Sequence, residues 1–313
     1  MPPTIELIAN DNNLCGEGPL WNPATCRLVW TDIPSSKVFE FDPASNRKRI
    51  LIDNRSVCGV TLHESGGLIC AGKTGLHIWR GPGQWQTIVT EHEGETLSFN
   101  DILADPRGRV YAGTLYHGPQ GMIKPGKLYQ IDTDGTVRVL ADGVHLSNGL
   151  GLSLDNKTLY YTDSAKRRIY AFDVDPATGS LSDRRTFVQV PDDEGLPDGL
   201  TVDAAGFIWS AQWFCGQVVR YDPDGKVERR IALPARQVSS LAFGSPHLTD
   251  LYVTSAADYA PSPLEPPGFD RTAFMGGPLY RVRLDVAGRP EYPARITARS
   301  RQECLNQQSG EPS

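Results

Sequence analysis

No apolar run in this 313-residue sequence approaches the roughly 18 residues that a membrane-crossing helix needs. The opening MPPTIELIAN lacks the basic start and apolar middle of a secretory leader, so the expected location is the cytoplasm. Basic charge is in deficit: 31 Lys and Arg against 37 Asp and Glu give a formal net charge of −6, which disfavours a non-specific nucleic-acid binder. Cysteine is sparse. The six residues, at 15, 26, 58, 70, 215 and 304, show no CxxC or other zinc-like spacing and are read as reduced thiols. What the chain does have is Gly (31) and Pro (24), placed between short apolar segments. That composition fits many strands joined by tight turns and argues against long helices.

Six short segments recur in order: Glu17-Gly-Pro-Leu, Cys58-Gly-Val-Thr, Asn100-Asp-Ile-Leu, Asn148-Gly-Leu-Gly, Asp198-Gly-Leu-Thr and Ser239-Ser-Leu-Ala, at intervals of 41, 42, 48, 50 and 41 residues. Each reads as a residue followed by a small turn residue and the start of an apolar strand. A second series runs alongside: Leu28–Asp32, Leu68–Gly72, Arg109–Gly113, Leu159–Asp163, Phe207–Ala211 and Leu251–Ser255, at 40, 41, 50, 48 and 44. The matching intervals make the two series parts of one repeating unit, and a period of 40 to 50 residues is that of propeller blades.

Between the series lie hairpin turns such as Asp105-Pro-Arg-Gly108 and Asp203-Ala-Ala-Gly206, and beyond them come alternating strands such as Arg168-Ile-Tyr-Ala-Phe. Each unit therefore holds about four strands. The expected fold is all-β, a six-bladed β-propeller forming a single domain over residues 1–297. The strand Thr4–Ala9 has no unit of its own and is expected to close the last blade. Residues 298–313 read as a flexible tail.

In such a fold the first series converges at one end of the central channel. Carboxylate and amide oxygens suit Ca²⁺, Mg²⁺ or Mn²⁺, so Glu17, Asn148 and Asp198 are the candidate metal ligands. Three protein ligands would leave positions for water and a substrate oxygen. Turn chemistry alone accounts for Asn148-Gly and Asp198-Gly, but it gives no reason for Glu17 to hold the equivalent place. Cys58 and Ser239 read as channel-lining packing residues, with Cys58 a ligand for a softer metal as the alternative.

The segments GEGPLW at 16–21, FNDILADPRGRVYAGT at 99–114, LSNGLGLSLDNKTLYYTDS at 146–164 and LPDGLTVDAAGFIWSAQW at 196–213 resemble the SMP-30/gluconolactonase/regucalcin family over about residues 17 to 285. The resemblance implies a six-bladed propeller that hydrolyses a sugar lactone to the aldonic acid. It also implies one divalent ion on Glu17, Asn148 and Asp198, with Ca²⁺ first and Zn²⁺, Mn²⁺, Mg²⁺ or Fe²⁺ also admitted, and Asn100 near the metal as a contact to substrate or water. Asp198 is assigned as the base that takes a proton from the attacking water.

Where animal members carry Arg, two residues before Asn100, this chain has Ser98, which removes a charged substrate anchor. The segment after Gly113 takes the place of the family's lid and carries Tyr116, His117, Gln120 and Lys124 as substitute polar contacts. Trp213 reads either as a stacking surface for a sugar ring or as a packing aromatic. Lys166 and Arg167 read as a solvated turn or as contacts to an anionic substituent. The expected partner is a small-molecule sugar lactone, with the chain a monomer or weak homo-oligomer. The other functions consistent with these residues are an organophosphate-hydrolysing propeller and a non-enzymatic calcium-binding scaffold.

Overall fold

The two repeated signatures occupy the first and second strands of a four-stranded antiparallel sheet, six times over, in a computed structural model that describes residues 3–118 and 121–297. Blade I comprises Gly16–Asn22, Arg27–Asp32, Lys37–Asp42 and Arg47–Ile52. Blade II comprises Gly59–Leu62, Leu68–Gly72, Gly75–Gly81 and Gln84–Val89. Blade III is built from Phe99–Ala104, Val110–Thr114, Gly126–Ile131 and Val137–Val144, and blade IV from Ser147–Leu152, Thr158–Asp163, Arg168–Val174 and Leu181–Gln189. Blade V runs through Leu196–Val202, Ile208–Trp213, Gln217–Tyr221 and Val227–Ala232. Blade VI has Val238–Gly244, Asp250–Ser255 and Leu279–Arg283, and its outer strand is Thr4–Ala9, paired antiparallel with Thr4 opposite Arg283 and Leu7 opposite Tyr280. The first strands contact one another in the ring order I to VI and back to I, so the sheets form a six-bladed β-propeller. The five cysteines among the described residues are free thiols. Residues 298–313, expected to form a tail, lie outside the described residues, as do Cys304 and Gln120.

Each interface between neighbouring blades has its own apolar cluster. Trp209, Val218 and Phe243 join V to VI, Tyr111, Leu150 and Tyr161 join III to IV, and Trp21, Trp30 and Tyr252 join VI to I. Burying each such side chain is worth about 1.5–3 kcal/mol, so the six clusters supply the main cohesion of the ring. Second strands such as Leu68–Gly72 are buried throughout because both faces meet a neighbouring blade. The third strands, such as Arg168–Val174 and Gln217–Tyr221, are buried nearly throughout for the same reason. Exposure appears in outer strands such as Val227–Ala232. The hairpin turns behave as their sequences dictate: Gly108 and Gly206 both adopt φ of 83°.

The first series differs from its sequence reading in one respect. Its small residues are not turns before a strand; in five blades they lie inside the inner strand, at a break in register. The breaks fall between Glu17 and Leu20, Phe99 and Ile102, Ser147 and Leu150, Pro197 and Leu200, and Val238 and Leu241. A bulge re-aims the side chain at the break. The following glycine lets the neighbouring inner strand approach: a Cβ on Gly149 would lie 2.3 Å from Leu200 N and 2.7 Å from Asp198 O.

The opposite end of the channel is crossed by residues 284–297. Gly288 bridges to Asp203, Arg289 donates to the carbonyls of Leu152 and Ser153, and Ala294 bridges to His63. Ala294 and Ile296 are fully buried between blades II and III. Glu291, from this segment, and Asp101, from blade III, both line the cavity inside the channel.

Gly149→Ala is expected to destabilise the protein by about 1–3 kcal/mol, because the added methyl meets backbone that cannot yield locally. Urea unfolding of the variant and the parent measures it, and an unchanged midpoint would contradict the close-packed ring.

Candidate functional site

Approach loops are fixed before the ring residues themselves. Asp32, at the end of the second strand of blade I, accepts the backbone N–H groups of Leu14 (3.2 Å) and Cys15 (2.9 Å), just ahead of Glu17. Asp163 does the same in blade IV for His145 and Leu146 (both 3.1 Å), just ahead of Asn148. Both carboxylates are buried, so these are strong charge-assisted anchors.

Glu17, Asn148 and Asp198 are 8%, 7% and 6% exposed, and all three sit at the inner-strand bulges. Glu17 accepts a hydrogen bond from Gly18 N–H (3.2 Å), and among the described residues no ion pair reaches Glu17, Asp101 or Asp198. Burial pushes the Glu17 carboxyl well above its ordinary range, with the charges of Asp198 and Asp101 adding to the effect. Asp198 is raised by burial and then by Asp101, and Asp101 itself is pushed up to about 7 by burial. Among the described residues these three acids have no basic partner, and the charge of Asp101 raises both of the others.

A chain of hydrogen bonds orients Asn148. Its Nδ2 donates to Ser164 Oγ (2.7 Å), and Ser164 Oγ donates to Pro197 O (2.6 Å), beside Asp198. Its Oδ1 accepts from Asn100 Nδ2 (2.6 Å), which also donates to Ser147 O (2.7 Å). An amide oxygen has two lone pairs, so Asn148 keeps one free. Among the described residues no group of three or more His, Cys, Asp and Glu side chains is arranged to hold a metal ion by itself. Here the hard-oxygen set is two carboxylates plus the Asn148 amide, and its uncompensated negative charge fits a divalent cation. The remaining ring positions have other characters. Burial pushes the Cys58 thiol up to about 12, so it stays protonated, while Ser239 donates to Gly16 O across the seam between blades VI and I.

The rim is more varied than the ring. Ser98 is half-buried, and its carbonyl accepts from Leu115 N (2.8 Å). The segment after Gly113 forms a small hairpin, Tyr116–Gly118 with Gly121–Lys124. Tyr116 donates its hydroxyl hydrogen to Thr96 O (3.0 Å) and lies under the Lys124 ammonium, 4.1 Å from the ring centre. Lys124 also pairs with Glu95, so it is engaged in holding the hairpin to the short strand Glu95–Thr96 that precedes blade III. His117 is exposed on that hairpin. Trp213 is half-buried and edge-on to Phe214, whose own ring meets Phe269 at 4.9 Å. Lys166 is exposed, but Arg167 is 8% exposed and bonded to backbone carbonyls, which overturns its reading as a solvated turn or substrate contact.

Three features escape the repeat arithmetic. Asp101 stands where blades I, II, IV and V carry glycine, and that substitution in an otherwise glycine-rich column was the available signal. Asp32 and Asp163 were visible as the acidic ends of two copies of the second signature. The irregular stretch 256–277, inserted between the second and third strands of blade VI where blade III carries its hairpin, shares no repeated motif with the other units.

The SMP-30/Gluconolactonase/LRE-like region matches residues 15–257 of this chain. A pentonolactonase from Haloferax volcanii is 38% identical over 293 residues, covering 92% of this chain and 97% of that protein. Bovine (Bos taurus) regucalcin is 33% identical over 295 residues, with the same coverage of each chain. Among solved structures, a calcium-binding regucalcin from Agrobacterium tumefaciens superposes with a TM-score of 0.84 at 26% identity, covering 95% of this chain and 99% of that one. A gluconolactonase from Xanthomonas campestris gives 0.74 at 25% identity and 90% coverage of both. The chain belongs to the SMP-30/gluconolactonase/regucalcin-like family.

Proposed function

We propose that this protein hydrolyses a sugar lactone to the corresponding aldonic acid at the ring formed by Glu17, Asn148 and Asp198. The observation that carries the reading is the buried pair Glu17 and Asp198, raised in pKa with no basic partner and flanked by an oriented amide oxygen. Glu17, Asn148 and Asp198 would hold one divalent cation, with Ca²⁺ the first choice on hard-oxygen grounds. When bound, such an ion supplies positive charge that polarises a carbonyl and lowers the pKa of nearby water.

The chain's own residues then have separable roles. Asp198 accepts the proton of the water that attacks the lactone carbonyl carbon; as a carboxylate that would also hold the ion it is a weak base, so its proximity and the lowered pKa of water near the ion carry much of the effect. The ring C–O bond breaks as the tetrahedral adduct collapses, and the departing alkoxide takes up a proton to give the hydroxy acid. Asn100 has committed both amide hydrogens to Ser147 and Asn148, so it meets substrate as an acceptor from a sugar hydroxyl. Ser98, Tyr116, His117 and Trp213 remain the candidates for contacting the sugar from the rim. The Haloferax relative's name favours a five-carbon lactone for the first assays.

Removing divalent ions with a chelator is expected to abolish hydrolysis of gluconolactone and xylonolactone, and adding Ca²⁺ back should restore it. Asp198→Asn should lower kcat by about 10²–10⁴-fold. A fluorophosphate assayed in parallel separates lactonase from organophosphatase, and full activity in chelator would sink both.

Ion binding should also show in the pH dependence of stability. Asp101 titrates near 7 in the folded chain against 3.8 unfolded, so the folded chain binds more protons between those values. Its contribution therefore falls as pH rises through that window, and Glu17 and Asp198 act in the same direction. Buried His77, held down to about 4, works oppositely on acidification, so parent protein is compared with and without ion at each pH. The rise in melting temperature on adding Ca²⁺ should be larger at about pH 7.5 than at about pH 5, as acids raised in pKa carry more charge at the higher value. An equal rise at both would contradict binding at these acids.

A further inference from the structure

We infer that Arg167 is a positioning residue: its guanidinium locks the 256–277 insertion onto the blade that carries Asp198, and through that lock it sets the affinity for substrate. The second half rests on the lactonase reading above; the first rests on geometry alone.

Arg167 follows the single helical turn Ser164–Lys166 and takes a left-handed conformation, φ 53°. That backbone turns its side chain inward. The guanidinium donates to Glu194 O (2.8 Å), Gly195 O (3.0 Å) and Pro191 O (3.4 Å), all in the loop leading to Asp198. It also donates to Leu264 O (2.8 Å), in the middle of the insertion. The nearest carboxylate, Asp192 at 3.5 Å, is 96% exposed and contributes little. A buried guanidinium is thus satisfied almost wholly by backbone carbonyls, an arrangement that needs the planar fork of Arg rather than the point charge of Lys.

The base of the insertion is tied elsewhere. Gln237 donates through Nε2 to Ala256 O (3.0 Å) and Asp258 O (2.7 Å), while Ala257 N and Asp258 N donate to Asn13 O and Leu14 O (2.9 Å each), in the loop leading to Glu17. The insertion therefore reaches from the approach to Glu17 to the approach to Asp198, and Arg167 holds its middle. Phe269 packs on Phe214, so the same lock places the insertion against the strand end that bears Trp213. The four-residue turn 164–167 also reaches Asn148 and Pro197 through Ser164. One turn thus connects the amide of the ring, the loop before Asp198 and the insertion.

Arg167→Met and Arg167→Lys, in full-length protein with Ca²⁺, test this. Arg167→Met should raise KM for the lactones by about tenfold while kcat changes by less than about threefold, the split expected when binding geometry is lost without the reacting groups. Tryptic cleavage after Arg271, an exposed site in the insertion, should accelerate by about tenfold as the segment opens locally. Arg167→Lys, which keeps the charge and some of the carbonyl contacts, should fall between. Unchanged KM and unchanged cleavage in Arg167→Met would overturn the proposal, as would a joint collapse of kcat and melting temperature, which marks a general folding role. If wild-type protein with ion hydrolyses no lactone, the functional reading and the affinity claim fall together, and the tryptic comparison alone decides whether the lock exists.

Discussion

At Gly59, Gly149 and Gly199, each directly after a ring residue, the neighbouring inner strand approaches so closely that there is no room for a Cβ. A methyl on Gly59 would lie 2.6 Å from Asn100 O, and one on Gly199 would lie 2.2 Å from Ser240 Oγ. Such contacts are shorter than packed atoms tolerate, so glycine is required there by the neighbouring backbone rather than by a turn. The close approach, together with the bulge beside it, brings side chains from blades I, III, IV and V to a common centre although they are up to 181 residues apart in sequence. The six interblade clusters keep that arrangement rigid. Asp101 departs from the pattern, because blade III has a carboxylate where glycine stands in its neighbours, and the channel below the ring becomes acidic as a result.

Electrostatics follow from this packing. Burying several carboxylates side by side costs several kcal/mol per charge unless an opposite charge is present, and no described basic group supplies it. Burial without an opposite charge is why all three acids are shifted upward. The proposed divalent cation would supply that missing charge, and the Asn100–Asn148–Ser164–Pro197 chain of hydrogen bonds orients the Asn148 amide oxygen. Rigidity at the base of the site contrasts with the variety of its rim. There a small hairpin interrupts blade III and an irregular insertion interrupts blade VI, each between the second and third strands, while residues 284–297 close the opposite end.

Much of the architecture was legible because a propeller repeats its local physics. The intervals between Glu17, Cys58, Asn100, Asn148, Asp198 and Ser239 located the inner strands, and the Leu-Tyr-Tyr-Thr-Asp type of signature located the strands beside them. The same repetition hid what is not repeated. Glycines after the ring residues resembled ordinary turn residues, since the dipeptide does not reveal that the next blade presses against it. Arg167 looked like a solvated charge because its carbonyl partners lie as far away in sequence as Leu264. Lys124 was read as a polar contact for substrate, yet it closes on Glu95, an ion pair within blade III's surroundings that no spacing rule specifies. Trp213 is edge-on to Phe214, whose ring meets Phe269 of the insertion, a neighbour 55 residues further along that no repeat spacing points to.

Metal content measured together with lactone hydrolysis, in the same preparations of wild-type protein and of Glu17→Gln and Asn148→Ala, tests the central claim most directly. The account predicts about one divalent ion per wild-type chain, a substantial loss of ion in both variants and a parallel loss of hydrolysis. Wild-type protein that hydrolyses lactones with no bound ion, or variants that keep both ion and activity, would contradict it.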